Sequence, residues 1–176
     1  MTTEASMRTF FSSKHFAVVG ASSNTAKFGH KIFAWYLHHQ IPATPINPLA
    51  PFIAVPSLPD PQGKPTEVPT VKALSALPDP RQTSVSIITP PAATLKVLEE
   101  AKSLGIPAVW LQPGTYDDEV LKFARDGEGE GADADLQADG KGFRAVVAGF
   151  GGGTRAHDGW CVLVDGERGL KSVGKL

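Results

Sequence analysis

The segment from Phe16 to Asn24 limits the folds open to this chain more than any other stretch. Its apolar start, Phe-Ala-Val-Val, is typical of a buried β-strand, and Gly20-Ala21-Ser22-Ser23 follows directly. Apolar residues then recur at helical spacing from Phe28 to Leu37. A strand, a tight turn and a helix in this order present backbone N–H groups and the positive end of a helix dipole. The first hypothesis is therefore a nucleotide-type ligand whose phosphates lie on this turn.

The overall composition excludes several classes of protein. With 176 residues, of which 41% are hydrophobic, the chain is expected to form one domain over residues 1–176. A formal net charge of −1 does not favour nucleic acid as a partner. The one cysteine, Cys161, excludes an internal disulfide framework and a site built from several thiolates. No apolar run approaches the roughly 20 residues of a spanning helix, so we expect a soluble, cytoplasmic protein without a membrane partner.

Strands and helices alternate along most of the chain. We predict strands at 16–19, 41–48, 83–88, 108–111 and 143–148, and helices at 7–14, 25–39, 71–77, 92–104 and 117–125. Pro45 interrupts the second strand, and the proline-rich range 49–70 is expected to be a non-helical loop. This order predicts an α/β, Rossmann-like doubly wound fold with a mostly parallel five-stranded sheet and helices on both faces.

Three C-terminal segments are interpreted differently. The range 127–142 is acidic and rich in glycine, which favours a mobile surface insertion. The run Gly151–Gly153 fits a flexible connector or an anion site. Trp160–Val164, followed by turn residues, predicts a C-terminal strand or hairpin extension in which Cys161 is buried and inert.

Four short segments each follow a predicted strand. They are Gly20–Ser23, Asn47-Pro48, Thr89-Pro90-Pro91 and Gln112-Pro113-Gly114. In open parallel sheets, ligands bind beyond the carboxyl ends of the strands, near the point where the strand order reverses. We therefore expect these four segments to line one crevice.

The range from Phe16 to about Gly114 resembles a known family. The matching segments are Val18–Ser22, Ile46–Pro48, Ser57-Leu58 and Val109–Gly114, in this order. They are similar to the small stand-alone CoA-binding proteins with a Rossmann-type fold, which are related to the CoA-binding domain of succinyl-CoA synthetase. The resemblance implies that CoA or an acyl-CoA binds here, with its phosphates on the Gly20–Ser23 turn. The implied binding residues are Gly20, Ala21, Ser22, Ser23, Lys27, Asn47, Pro48, Thr89, Pro90, Gln112, Pro113 and Gly114.

Two alternative functions stay open at this point. A dinucleotide fingerprint, G-x-G-x-x-G, would need a glycine where Ser22 stands, and an acidic residue where Asn47-Pro48 follows strand two. A small NAD(P)-binding oxidoreductase or NAD(P) sensor is therefore the weaker reading, since Lys27, Lys31 and a helix N-terminus also suit the phosphates of CoA. The other alternative is an interaction protein that binds no ligand.

No catalytic or metal-binding residue is predicted. The five histidines do not have the spacing of metal ligands. Ser22 and His30 lack both an orienting acid and a G-x-S-x-G elbow. We therefore predict a binding protein without chemistry of its own; the acyl group and the oligomeric state are not determined by the sequence.

Overall fold

The computed structural model describes residues 2, 4–57, 62–128, 142–149 and 160–176. Several predicted features lie outside the described residues. They are Leu58 of the family motif, nearly all of the proposed insertion at 127–142, and the run Gly151–Gly153.

Five helices and seven strands are described. The helices are α1 Glu4–Phe11, α2 Phe28–His38, α3 Pro91–Ser103, α4 Asp118–Arg125 and α5 Val162–Ser172. The strands are β1 His15–Val19, β2 Ala43–Ile46, β3 Phe52–Val55, β4 Thr66–Pro69, β5 Thr83–Ile87, β6 Ala108–Leu111 and β7 Ala145–Val147. Two short 3₁₀ helices, Leu74–Ala76 and Pro80–Gln82, lead into β5. In these ranges, no helix combines the length and the apolar character needed to cross a membrane.

The main sheet has five parallel strands in the order β2-β1-β5-β6-β7. The predicted five-stranded Rossmann-like fold is thereby confirmed. The range 49–70 differs from its prediction, because it contains β3 and β4, which pair antiparallel from Phe52↔Pro69 to Val55↔Thr66. Four-residue strands flanked by prolines carry too little periodicity to be recognised in the sequence.

Pro45 is tolerated because β2 is an edge strand of the main sheet. The carbonyl of Pro45 accepts a hydrogen bond from the Val71 N–H at 3.1 Å, so it points away from β1. In a strand, the nitrogen of a residue lies on the same side as its carbonyl, and the missing N–H is therefore not needed by the β1 ladder.

Helices cover both faces of the sheet, and alternate residues of each strand supply the two cores. Phe16 and Val18 of β1 pack with α1, α2 and α5, whereas Ala17 and Val19 pack on the side of α3 and α4. The buried Ser86 of β5 shares a hydrogen bond of 2.7 Å with the Tyr36 hydroxyl of α2. Each strand is thus buried on both sides, as expected of a doubly wound sheet.

The prediction of a C-terminal strand or hairpin is wrong. Residues Val162–Ser172 form helix α5, and Cys161 is its N-cap residue. A Cβ atom at Gly166 would collide with the ring of Trp35, and one at Gly169 would lie 2.5 Å from Cε2 of Phe11. The glycines that were interpreted as a turn therefore let α5 pack closely on α2 and α1, a tertiary reason that local patterns do not show.

The described residues that flank the proposed insertion lie close together. A Cβ atom at Gly142 would overlap the carbonyl oxygen of Gly127. Glu128 also bonds across this point, because its Oε1 accepts from the Val146 N–H at 2.9 Å. The chain therefore departs from α4 and enters β7 at neighbouring positions.

Candidate functional site

A cleft lies beyond the carboxyl ends of β1, β2 and β5. The strand order reverses between β1 and β5, the usual place for a ligand in such a sheet. The cleft has a volume of about 280 Å³. Four predicted site residues line it, namely Gly20, Asn47, Pro48 and Thr89.

Gly20 is required by the backbone at the end of β1. It has a φ of +91°, which side-chain-bearing residues rarely adopt. A Cβ atom here would lie 2.7 Å from the carbonyl oxygen of Ile88, the residue that follows β5. Glycine therefore lets the two segments at the switch point approach each other.

The turn after β1 is longer than predicted. Helix α2 begins at Phe28, with Lys27 as its N-cap residue and no side chain capping it, so Gly20–Lys27 forms an eight-residue loop. The Oγ of Ser22 accepts from the Asn24 N–H at 3.1 Å, and the Oγ of Ser23 accepts from the Ala54 N–H of β3 at 3.0 Å. The side chains of Ser22 and Ser23 thus stabilise the loop and its contact with β3.

Asn47 holds this loop against β2. Its Nδ2 donates to the Ala21 carbonyl at 3.0 Å, while its Oδ1 accepts from the N–H groups of Leu49 at 2.9 Å and Ala50 at 3.0 Å. Donor and acceptor of the amide are therefore both used within the protein. Asn47 positions the walls of the cleft.

Two further residues position the loop, and the sequence interpretation missed both. Gly29, in the first turn of α2, packs so closely that a Cβ atom would overlap the carbonyl oxygen of Gly20. The buried His30 makes a hydrogen bond of 2.9 Å through Nδ1 to the Ser22 carbonyl, so Nδ1 carries the proton. The sequence signal for this close packing was the glycine in the first turn of α2, since dinucleotide folds use a glycine where the helix packs on the strand.

The turn after β5 is short. Pro90 is the N-cap residue of α3 and Pro91 its first residue, a position that suits proline. The hydroxyl of Thr94 donates to the Thr89 carbonyl at 2.9 Å, and the two threonine hydroxyls lie 2.8 Å apart. Thr89 is thereby fixed at the wall of the cleft.

The segment after β6 is not among the residues that line this cleft. Gln112 is buried, and its Oε1 accepts from the Val162 N–H of α5 at 3.1 Å. Its Nε2 has no hydrogen-bond partner among the described residues. Gly114 has a φ of +88° and is exposed. The structure thus brings three of the four predicted segments to the cleft, while Gln112, Pro113 and Gly114 lie towards α5 and α4.

The charged residues that line the cleft are Lys72 and Glu100, neither of which was predicted. The carboxylate of Glu100 accepts from the Ser75 N–H at 3.0 Å, and the side chain of Lys72 is exposed. The predicted Lys27 is exposed and does not belong to the lining. Lys31 lies over the ring of Phe28, with Nζ 5.3 Å from the ring centroid. Lys72 escaped prediction because only the pairing of Val71 with β2 brings it here.

Among the described residues, no metal-binding cluster is formed and Cys161 is a poor nucleophile. No group of three or more His, Cys, Asp or Glu side chains suited to a metal ion occurs among them. Cys161 is half-buried at the start of α5, and burial raises the pKa of its thiol. A raised pKa leaves little thiolate at neutral pH, so this cysteine is a poor nucleophile.

Comparison with known proteins gives a family and several similar folds. The model of the CoA binding domain family matches residues 14–138. A conserved hypothetical protein from Pyrococcus furiosus is 28% identical, with 62% of this chain and 83% of that chain covered and a TM-score of 0.51. A hypothetical protein from Pyrococcus horikoshii OT3 is 20% identical, with coverages of 96% and 93% and a TM-score of 0.64.

A third solved structure, cell-free ID.343 from Thermus thermophilus, is 20% identical, covers 96% of this chain and 99% of its own, and has a TM-score of 0.60. At 20% identity, the last two structures support the fold alone. A comparison with curated proteins finds no match. Because the family model spans well over half of the sequence, from the residue before β1 to beyond α4, the chain belongs to the CoA-binding domain family.

Proposed function

We propose that the protein binds CoA or an acyl-CoA in the cleft beyond β1, β2 and β5, without catalysing a reaction. Membership of the family supports a CoA-related small-molecule ligand. The observation that carries the proposal is the cleft of about 280 Å³ at the switch point, with the glycine-initiated loop on one side and Lys72 on the other. Its volume is small for a whole cofactor, so we assign it to the nucleotide part.

The loop and the start of α2 are proposed to face the phosphates of the ligand. Within the described ranges, no acceptor is found for the backbone N–H groups of Phe28 and Gly29, as is usual for the first turn of a helix. Such groups, together with the helix dipole, favour an anion. Ala21, Ser22, Ser23 and Lys27 belong to this proposed phosphate region.

The remaining predicted residues have proposed roles around it. Pro48, Thr89 and Pro90 would border the nucleotide, with Lys72 as the cation for a phosphate. Gln112, Pro113 and Gly114 would meet a more distant part of the ligand, because they follow the neighbouring strand β6.

The geometry of Asn47 favours CoA over NAD(P). A dinucleotide enzyme uses an acidic side chain after the second strand to bind the ribose hydroxyls. Here that position is Asn47, whose amide already bonds to Ala21, Leu49 and Ala50. An asparagine has no carboxylate for the ribose hydroxyls, and its Oδ1 is already bonded within the protein.

Titration calorimetry with CoA, dephospho-CoA, NAD and NADP tests the proposal, after native mass spectrometry has established whether the purified protein carries a ligand. We expect CoA to bind, and dephospho-CoA to bind more weakly because it lacks the 3′-phosphate. Selective binding of NAD or NADP would replace the proposal with the dinucleotide alternative. If none of the four ligands binds, the interaction protein is favoured.

A further inference from the structure

A second pocket lies at the opposite end of the main sheet from the cleft, where the parallel strands begin. It has a volume of about 200 Å³ and receives three cationic side chains, from Lys14, Arg81 and Arg144. They precede β1, β5 and β7, so the parallel topology brings them together from distant parts of the sequence. Thr9, Ser12, Ser13, Gln82 and Pro107 complete the lining. We call this the basic pocket.

The charge of the basic pocket is not balanced by the described residues. No Asp or Glu contributes to its lining in the described ranges. The ion pairs found in the same ranges involve none of its three cations. Since the whole chain has a formal net charge of −1, three gathered positive charges are a local feature. Three positive charges that line one pocket raise the local concentration of anions there.

Compensation of helix dipoles accounts for only part of this cluster. Helices α1 and α3 end at this end of the sheet, and cations are stabilised near helix C-termini. Arg81 lies beside Gly105 at the end of α3, where its Nε would be 3.5 Å from a Cβ atom. At the end of α1, however, the amine of Lys175 already donates to the carbonyls of Phe11 at 2.6 Å and Ser13 at 3.0 Å. The C-terminal end of α1 is thus already compensated by Lys175, and its dipole does not account for Lys14.

We propose that the basic pocket binds the phosphate group of a small molecule, or inorganic phosphate itself. Two guanidinium groups can each donate paired N–H bonds to phosphate oxygens, and an ammonium group adds a point charge. A water molecule occupies about 30 Å³ of liquid volume, so the pocket has room for such an anion. Because all three cations are exposed, binding is expected to weaken as salt is added.

Amide NMR of the full chain locates the site. Inorganic phosphate and glycerol 3-phosphate are titrated separately without CoA, and the residues whose signals shift show whether a probe occupies the basic pocket or the cleft. We expect shifts at Ser13, Gln82 and Arg144 with at least one probe. Tighter binding of glycerol 3-phosphate would indicate a phosphorylated molecule, and the reverse order would indicate free phosphate. Absence of shifts at these residues would overturn the proposal, whether or not CoA itself binds.

Charge variants test which side chains bind the anion. We expect Arg81→Gln and Arg144→Gln each to weaken phosphate binding about tenfold, as expected for a lost hydrogen bond to a charged group. Arg8→Gln is the matched control, since Arg8 is exposed on α1 and does not line the pocket. An equal loss in the control would show that only general charge attracts the anion, which contradicts a built site. Unfolding temperatures confirm that the variants remain folded.

Discussion

The turns that follow β1 and β5 both form walls of the cleft, but different contacts hold them in place. After β1, the eight-residue loop Gly20–Lys27 depends on distant partners, namely Asn47 after β2 and Ala54 in β3. After β5, the Ile88 N–H donates to the Val19 carbonyl of β1 at 2.9 Å, whereas Thr89 and Pro90 are held locally, by Thr94 and by the conformation of Pro90. The proposed phosphate loop therefore depends on tertiary contacts with Asn47 and Ala54 in addition to its local bonds, whereas Thr89 at the opposite wall of the cleft is held by its neighbours in the sequence.

This difference determines where mutations are expected to affect binding. Changes at the distant partners of the first turn should move the loop and reduce ligand affinity. Changes within the second turn should reduce stability locally and leave the loop in place. The following predictions test this contrast.

The largest effect is expected for Gly29→Ala, which places a Cβ atom on the carbonyl oxygen of Gly20. The carbonyl oxygen is a backbone atom that cannot rotate away alone, so the start of α2 and the end of β1 must separate. We expect a loss of about 3 kcal/mol, at the upper end for overpacking, despite a gain of about 1 kcal/mol in helix propensity. Urea unfolding measures it.

Gly114→Ala is the matched control for this variant. Gly114 has a φ of +88°, yet a Cβ atom there would meet nothing within 4 Å. Its cost is therefore the left-handed conformation alone, about 1–2 kcal/mol. A loss at Gly29 no greater than the loss at Gly114 would contradict the close packing of α2 on the end of β1.

The next effect is expected for Asn47→Ala, which removes three hydrogen bonds around the first turn. At about 0.5–1.5 kcal/mol for each bond, we expect a loss of about 2 kcal/mol in the free energy of unfolding. The loop should also become mobile, and CoA affinity should fall. Urea unfolding and calorimetry measure the two effects.

The corresponding variant of the second turn is Thr94→Val, which removes the bonds to Thr89. Thr94 is buried and does not line the cleft. We expect a loss of about 1 kcal/mol in stability and little change in CoA affinity. Equal losses of affinity in the two variants would remove the proposed difference between the turns.

A smaller effect, on binding alone, is expected for Lys72→Gln. Because Lys72 is the cation that lines the cleft, its loss should weaken CoA binding about tenfold without changing stability. Calorimetry with dephospho-CoA shows which phosphate is bound: if Lys72 pairs with the 3′-phosphate, the variant and the wild type should bind this ligand equally. Lys96→Gln, an exposed change on α3, is the control. Unchanged CoA affinity in Lys72→Gln would contradict the proposed contact.

Local sequence patterns were sufficient to predict the parallel sheet and the glycine turn at Gly20. The alternation of apolar strands with amphipathic helices is a repeated signal, and a glycine at the end of a strand is a local one. The strand ends also placed Asn47 and Thr89 correctly at one cleft, because parallel topology fixes where those ends meet.

Contacts between distant segments could not be inferred in this way. Lys72 reaches the cleft through the pairing of Val71 with Ile46. Gly166 lies within helix α5, where the absence of a side chain lets the ring of Trp35 pack against it. Asn47 lines the cleft, but its hydrogen bonds to the backbone of Ala21, Leu49 and Ala50 could not be inferred from the sequence. Each of these outcomes depends on a partner far away in the chain.

The smallest effect is expected for a change outside both turns. Removing residues 129–141 and joining Glu128 to Gly142 should be tolerated, because the carbonyl of Gly127 and the Cα of Gly142 already lie in close contact. Glu128 is retained since it bonds to Arg125 and to the Val146 N–H. We expect CoA affinity and the unfolding temperature to match those of the full chain. A marked loss of affinity would contradict this expectation. It would show that the first turn depends on the segment 129–141 as well as on Asn47.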